Sequence, residues 1–562
     1  MAKVDGGELI GRALAKEGIE KAFVLCGGHV MPIFYGMRNN GIEIIDMRHE
    51  CAAAYAAIAY TRASGKPAAL VTTAGPGVGN TVAGMMEAET MGIPMIHIGG
   101  AVTMQARDAG DLQDMDTLRV LKTCTKWAKR PTYVHRLLEY VSMACRHMMD
   151  STPGPVYLEI ATNLCNMQVE EDEVVFPEGY RAHSIPAGDP AVIEQAAELL
   201  ANAERPAAVM DDGARFNIGE YAGAIKELSD YLQMPLGAGA NGVRGMFGDE
   251  ATNPLVRTNA IGGADVVLTL GCQFDFRLGK GAGIKPDAKV IQVHADSNLI
   301  GYNLRADIGI VGGVGPVASQ LLAAIKTKKD KPAEVSWVGE VKSDWPADLP
   351  GAYHSKGSPV HPARCAGEAA KFIAEDGRDW NVVIDGGEAS VWMGGAMRAS
   401  RPGQVHGSGA NGTIGTGPCL AVGAWAANRK PVLWYTGDGS FGFYAMELDT
   451  MARKGVPCVC VISNDSAWGM IRLEQVLYRA DKIKDLGQAN TELHDMRDYH
   501  KLVSMWDGYG EKVTDPDEIL PAIKRAAKVA LEGKPSLINV EVDHVSPSAF
   551  IGGYKAMTQT DK

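Results

Sequence analysis

The strongest chemical signal in the chain is a carboxylate held on a glycine turn. Leu433-Trp434-Tyr435-Thr436 reads as an apolar strand that runs into Gly437-Asp438-Gly439-Ser440. A second apolar strand, Cys458 to Ile462, runs into Ser463-Asn464-Asp465-Ser466. Carboxylate and amide oxygens at two strand ends are the hard ligands that Mg²⁺ or Ca²⁺ takes, and Mg²⁺ in such a place bridges to phosphate. The flanking glycines let backbone N–H groups approach the same phosphate. Cys458 and Cys460 alternate on their strand with no His or further Cys nearby, which places them in the core rather than on a metal.

Those residues need a scaffold, and apolar strands alternating with helical stretches supply one from end to end: the rhythm of parallel α/β sheets. Early in the chain, Lys21 to Cys26 leads into Gly27-Gly28, Ala68 to Thr73 into Ala74-Gly75-Pro76-Gly77, and Met95 to Ile98 into Gly99-Gly100. Three strands ending in glycine imply three loops gathered at one sheet edge, where open α/β sheets bind ligands. The 66 glycines against 11 phenylalanines agree with backbone brought close to ligands at such turns. An internal echo joins the two ends of the chain. Ala52 to Ala57 opens a helix before Lys66-Pro67, a strand and Gly75-Pro76-Gly77, and Leu420 to Ala427 precedes Lys430-Pro431, a strand and Gly437-Asp438-Gly439. A duplicated α/β domain flanking a different middle one accounts for this.

The expected architecture is therefore three doubly wound parallel-sheet domains, residues 1–185, 186–345 and 346–562, with an exposed linker from Lys326 to Pro359. A net charge of −12 speaks against nucleic acid or an anionic membrane as main partner. There is no apolar run long enough to span a membrane, the N-terminus is polar, and ten scattered cysteines form no disulfide framework, so a cytoplasmic setting is expected.

With those elements in place, Gly437-Asp438-Gly439 followed 26 positions after Asp438 by Asn464 resembles the thiamine-diphosphate motif of the acetolactate synthase-like superfamily. Gly27-Gly28-His29, Arg48-His49-Glu50-Cys51-Ala52-Ala53, Gly75-Pro76-Gly77 and Gly412-Thr413-Ile414-Gly415 match further family blocks in the same order. The resemblance implies pyrimidine-binding, middle and diphosphate-binding domains, with thiamine diphosphate lying between the first domain of one subunit and the third of another, hence a homodimer or homotetramer. It implies that Glu50 hydrogen-bonds the aminopyrimidine ring and promotes loss of the thiazolium C2 proton. Asp438, Asn464 and the Ser466 carbonyl are implied as magnesium ligands. Gly28, Gly75, Gly412, Gly437, Gly439, Ser440 and Met470 are implied cofactor contacts, and Ile414 the apolar residue that bends the cofactor.

Within the superfamily, Leu493 to Leu502 and Gly508-Tyr509-Gly510 are most similar to oxalyl-CoA decarboxylases and 2-hydroxyacyl-CoA lyases. That likeness implies cleavage of a 2-hydroxyacyl-CoA to an aldehyde or ketone plus formyl-CoA, with carboligation of 2-keto acids and decarboxylation of a 2-keto acid or oxalyl-CoA as the alternatives. The base for the hydroxyl proton is expected to be Glu492, on a mobile loop, with His29 second, and Gln113 near the substrate. The middle domain is implied to hold ADP or a CoA nucleotide through Arg215 and Asp296, or FAD, since Phe274-Asp275-Phe276-Arg277 is similar to flavin-binding members. The segment from Ser546 to Lys555 is a candidate C-terminal lid.

Overall fold

Strands that are apolar on both faces bury both faces, and here they assemble into three parallel sheets. The structure is a computed structural model that describes residues 2–182, 184–216, 218–248, 254–333, 337–341, 351–407, 409–544 and 546. The first sheet runs Glu43–Asp46, Lys21–Val24, Ala68–Thr72, Met95–Ala101, Pro155–Ala161, Trp127–Lys129 from edge to edge. The third runs Val405–Gly407, Asn381–Ile384, Val432–Gly437, Cys458–Asn464, Ser536–Glu541, Tyr509–Val513. Counted along the chain, both have the order second, first, third, fourth, sixth, fifth, so the echo heard in the sequence is a shared topology. The central sheet has five strands, Leu236–Ala238, Pro206–Met210, Val266–Leu270, Lys289–His294 and Ile308–Val311. A short antiparallel pair, Lys3–Asp5 with Gln168–Glu170, ties the start of the chain to the end of the first domain.

The first and central sheets belong to one unit of the chain and the third to another. In the first unit, the helix Glu50–Ser64 is buried without a break from Glu50 to Arg62. Its many alanines allow that, because a helix walled by small side chains can be enclosed on all sides. Gly65 ends it with φ +74°.

The linker expectation needs correction. The helix Val314–Lys328 continues through Lys326, and Trp337–Val341 forms a further short helix. Trp337 is buried against Gly263 and its indole N–H donates to the Pro206 carbonyl at 2.8 Å. Trp337 and Val341 together pack this otherwise polar stretch against Ala207, Ala260 and Val267 of the central domain. Residues 342–350, and the candidate lid from residue 547 onward, lie outside the described residues.

Candidate active site

In the first unit, four expected residues converge on one turn. Glu50 opens its helix, where a carboxylate suits the positive helix end, and it is buried at 7% exposure. Its Oε2 accepts from Asn80 Nδ2 at 3.0 Å. Gly77 allows the turn to pass beside it, since a Cβ there would stand 3.4 Å from Glu50 Oε1. Gly75 has φ +57°, and a Cβ on it would stand 2.8 Å from the Gln113 carbonyl oxygen, so the turn requires glycine. Thr73, at the strand end before it, has its hydroxyl 3.2 Å from His29 Nδ1 and 3.4 Å from Gln113 Oε1. Gly28 starts the 3₁₀ turn that carries His29, and burial lowers the His29 pKa below the ordinary imidazole value. The result is a buried carboxylate and a chain of neutral hydrogen-bonding groups on either side of one glycine turn.

The second unit gathers negative charge instead. Asp438 begins a short helix after the strand Val432–Gly437 and is buried. Its Oδ1 accepts from the Asp465 backbone N–H at 3.4 Å, while Oδ2 is buried with no hydrogen-bond partner. Burial, and then the charge of Asp438, push the Asp465 carboxyl up to about 8; burial raises Asp438 as well. Two enclosed carboxyls side by side repel each other and favour a bound positive charge. A Cβ on Gly439 would stand 3.5 Å from the Ala467 carbonyl oxygen and 2.9 Å from the Trp468 ring, so that carbonyl lies at the same turn.

Two expected ligands are not brought to Asp438. Asn464 turns the other way: its Nδ2 donates to Asn539 Oδ1 at 3.2 Å and to the Arg497 carbonyl at 3.3 Å, and its Oδ1 accepts from Ser466 N–H at 3.1 Å. Alternation at the strand end sends neighbours to opposite faces, so Asp465 takes the place expected for Asn464. The Ser466 carbonyl accepts from Leu493 N–H at 2.8 Å, which leaves Ala467 to present the backbone oxygen. Glu492 is exposed, and its segment pairs with the turn after the strand: Trp468 N–H donates to the Thr491 carbonyl, and Glu492 bridges to Ala467.

The loop of Gly412 and Ile414 is organised by a residue that sequence reasoning missed. Asp385 is buried, and its carboxylate accepts from the N–H groups of Gly386, Gly415 and Gly417 at 2.8, 2.9 and 3.0 Å. It also meets the Thr436 hydroxyl at 3.3 Å, so one side chain ties this loop to the strand before Asp438. Ile414 is half-buried and Gly412 has φ +63°. Met470 lies over Gly387, and Ser440 is buried beside Gly386. In the central domain, Arg215 Nη2 donates to the Ala63 carbonyl at 3.3 Å.

Comparison with known proteins accounts for both clusters. The N-terminal TPP binding domain of thiamine pyrophosphate enzymes matches residues 4–120, the central domain residues 193–321 and the C-terminal TPP binding domain residues 385–540. The chain is a thiamine pyrophosphate enzyme. Among curated relatives, a probable acetolactate synthase large subunit of Methanocaldococcus jannaschii is 29% identical over 96% of this chain and 92% of its own length. A 2-hydroxyacyl-CoA lyase 2 of Danio rerio is 29% identical over 95% of this chain and 91% of its own. The human 2-hydroxyacyl-CoA lyase 2 is 26% identical over 95% and 89%.

For a thiamine pyrophosphate enzyme the residues fit the cofactor and its metal. The partnerless Asp438 Oδ2, the raised Asp465 and the Ala467 carbonyl are a donor set of hard oxygens for a magnesium ion. Among the described residues, no three His, Cys, Asp or Glu side chains gather as a metal site, so the donor set at Asp438 relies on a backbone carbonyl, and no helix is long and apolar enough to cross a membrane. Thr73, Asn80, Asp385 and Asp465 are the residues sequence reasoning missed. Only Asp465 carried a signal, its place next to the expected Asn464.

Proposed function

We propose that this thiamine pyrophosphate enzyme is a carbon–carbon lyase that cleaves a 2-hydroxyacyl-CoA to an aldehyde or ketone plus formyl-CoA. The observation that carries the reading is the His29–Thr73–Gln113 chain beside the Gly75 turn. Cleavage next to a hydroxyl-bearing carbon needs a group to take the hydroxyl proton, and this chain offers one. Thr73 has one hydroxyl hydrogen and Gln113 Oε1 can only accept, so Thr73 donates to Gln113. His29 Nδ1–H then donates to Thr73, and His29 Nε2 carries the free lone pair. With its pKa lowered by burial, the imidazole is neutral near pH 7 and ready to accept a proton.

When bound, thiamine diphosphate supplies the carbon nucleophile and the electron sink. Glu50 holds the aminopyrimidine ring, and Asn80 holds Glu50 in place. His29 takes the substrate hydroxyl proton as the bond between the hydroxyl-bearing carbon and the thioester carbonyl carbon breaks. A proton returns to that carbonyl carbon, which leaves as formyl-CoA, so atoms and charge balance. Asp438, Asp465 and the Ala467 carbonyl would hold Mg²⁺, which would offset the charge of the diphosphate. Glu492 is the second candidate base. The active unit is at least a dimer in which Glu50 and Asp438 serve one cofactor from different chains, a homodimer or homotetramer. The lyase-named relatives support a CoA ester as substrate.

The deciding experiment incubates the loaded protein separately with pyruvate and with several 2-hydroxyacyl-CoA esters and follows formyl-CoA and acetolactate. Formyl-CoA is expected. Acetolactate from pyruvate with no formyl-CoA from any ester overturns the lyase reading in favour of carboligation. A fully active monomer in sedimentation overturns the shared-site assembly.

A further inference from the structure

Open α/β sheets take nucleotides at the carboxyl edge where strand order reverses, with the diphosphate on N–H groups at the start of the next helix. In the central sheet that edge lies between the ends of Pro206–Met210 and Val266–Leu270, and a cleft there is lined by Asp211, Asp212, Gly213, Gly271, Arg277 and His294. The groups that would read a nucleotide are engaged within the chain. The Asp211 carboxylate accepts from the Asp212 N–H at 2.7 Å, so the anion at the helix start is the protein's own. That helix, Asp212–Arg215, is a single turn. A Cβ on Gly213 would stand 2.5 Å from the Gly271 carbonyl oxygen, so the two turns touch where a diphosphate would have to pass.

The cations are taken as well. Arg277 donates to Asp275 Oδ2 from Nη2 at 2.7 Å and from Nε at 3.0 Å, and reaches Asp211 Oδ2 at 3.3 Å. Asp296, expected to reach a ribose, accepts instead from Asn298 N–H at 2.9 Å and caps its own turn, while its own N–H donates to His294 Nδ1 at 2.9 Å. Asp212 pairs with Arg62 at 3.3 Å, both side chains 5% exposed or less. Asp211, Asp212 and Asp275 are thus each paired with Arg62 or Arg277, so these guanidiniums are already engaged by the chain's own carboxylates in a poorly solvated place.

We propose that the central domain of this chain takes no flavin or adenine nucleotide, and that its edge acids serve instead to anchor the catalytic helix. Arg62 lies in the last turn of the helix that Glu50 opens, and Arg215 donates to Ala63 one residue further on. Asp212 therefore fixes the far end of the helix whose near end carries the carboxylate for the aminopyrimidine. This holds whichever substrate is cleaved.

Hydrogen exchange on the full chain, loaded with thiamine diphosphate and Mg²⁺, tests it in the presence and absence of millimolar ADP or FAD. Unchanged exchange over residues 211–215 and 271–277 is expected, and protection of either segment by either nucleotide overturns the closed edge. In Asp212→Asn, exchange over residues 50–64 is expected to rise while residues 432–437 keep their wild-type rate; unchanged exchange over 50–64 overturns the anchor. Arg62→Lys, which keeps the charge and loses the fork, gives the same readout with a smaller rise should the first variant not fold.

Discussion

The first and third sheets place the turn after their third strand alike in topology, and fill it with opposite chemistry. In the first sheet that turn is Gly75-Pro76-Gly77, uncharged, with Glu50, Thr73 and Gln113 packed around it. In the third it is Gly437-Asp438-Gly439, with a buried carboxyl on the turn and a second one, Asp465, at the next strand end. A repeated backbone thus delivers two loops, and the side chains differ: one cluster sets a single buried carboxylate among neutral hydrogen-bonding groups, the other sets two buried carboxyls side by side. The duplicated fold sets where chemistry can happen and leaves open which chemistry it is.

The largest effect is expected where the third sheet loses its charge. Asp438→Ala should weaken thiamine diphosphate and Mg²⁺ binding by more than about 100-fold, the upper end for residues that merely support a metal ligand. Asp465→Ala should do the same, and Asn464→Ala should not, measured by titration of cofactor-dependent fluorescence quenching. Equal losses in Asp465→Ala and Asn464→Ala would remove the distinction between the two neighbours.

Next comes the proton-handling side. Glu50→Gln should keep cofactor affinity and lower turnover by about 10³-fold, checked by steady-state rates on protein with cofactor shown to be bound. His29→Ala should cost about 10²-fold and change the pH profile. Because burial lowers the His29 pKa, the base form persists below the ordinary imidazole range, and kcat/KM in the wild type should fall only as pH drops through that lowered value. The variant should lose this acid limb; an unchanged limb would move the base to Glu492.

The smallest effect belongs to the tie between loops. Asp385→Asn replaces an acceptor of four hydrogen bonds with an amide that turns a donor toward N–H groups, and should cost about 1–3 kcal/mol. Denaturant unfolding reads the loss. A loss in Asp385→Asn no larger than in a surface Asp→Asn control would show the loop to be held by other means.

Much of this was legible in the residues. Strands ending in glycine gave the sheet edges, and Asp438 and Glu50 announced themselves by type and setting. The choice between Asn464 and Asp465 was not legible, because one step at a strand end flips the side chain to the other face and the spacing alone does not say which. Asp385 was hidden for another reason. It works through backbone N–H groups of a loop 30 residues away, and no local pattern records that pairing. Arg215 misled because an arginine after a strand can serve a ligand or a neighbouring helix, and only packing decides.

The unbroken burial of the helix Glu50–Ser64 bears on how such an enzyme can change over time. An element enclosed on every side accepts few substitutions without a cost in packing, and Glu50 shares that constraint. Within the single chain the stretch before the next helix is open by contrast, with Leu112 75% and Met115 56% exposed on either side of Gln113. Those two positions can be varied without disturbing the packing around Glu50, which makes them the first sites for a directed-evolution library.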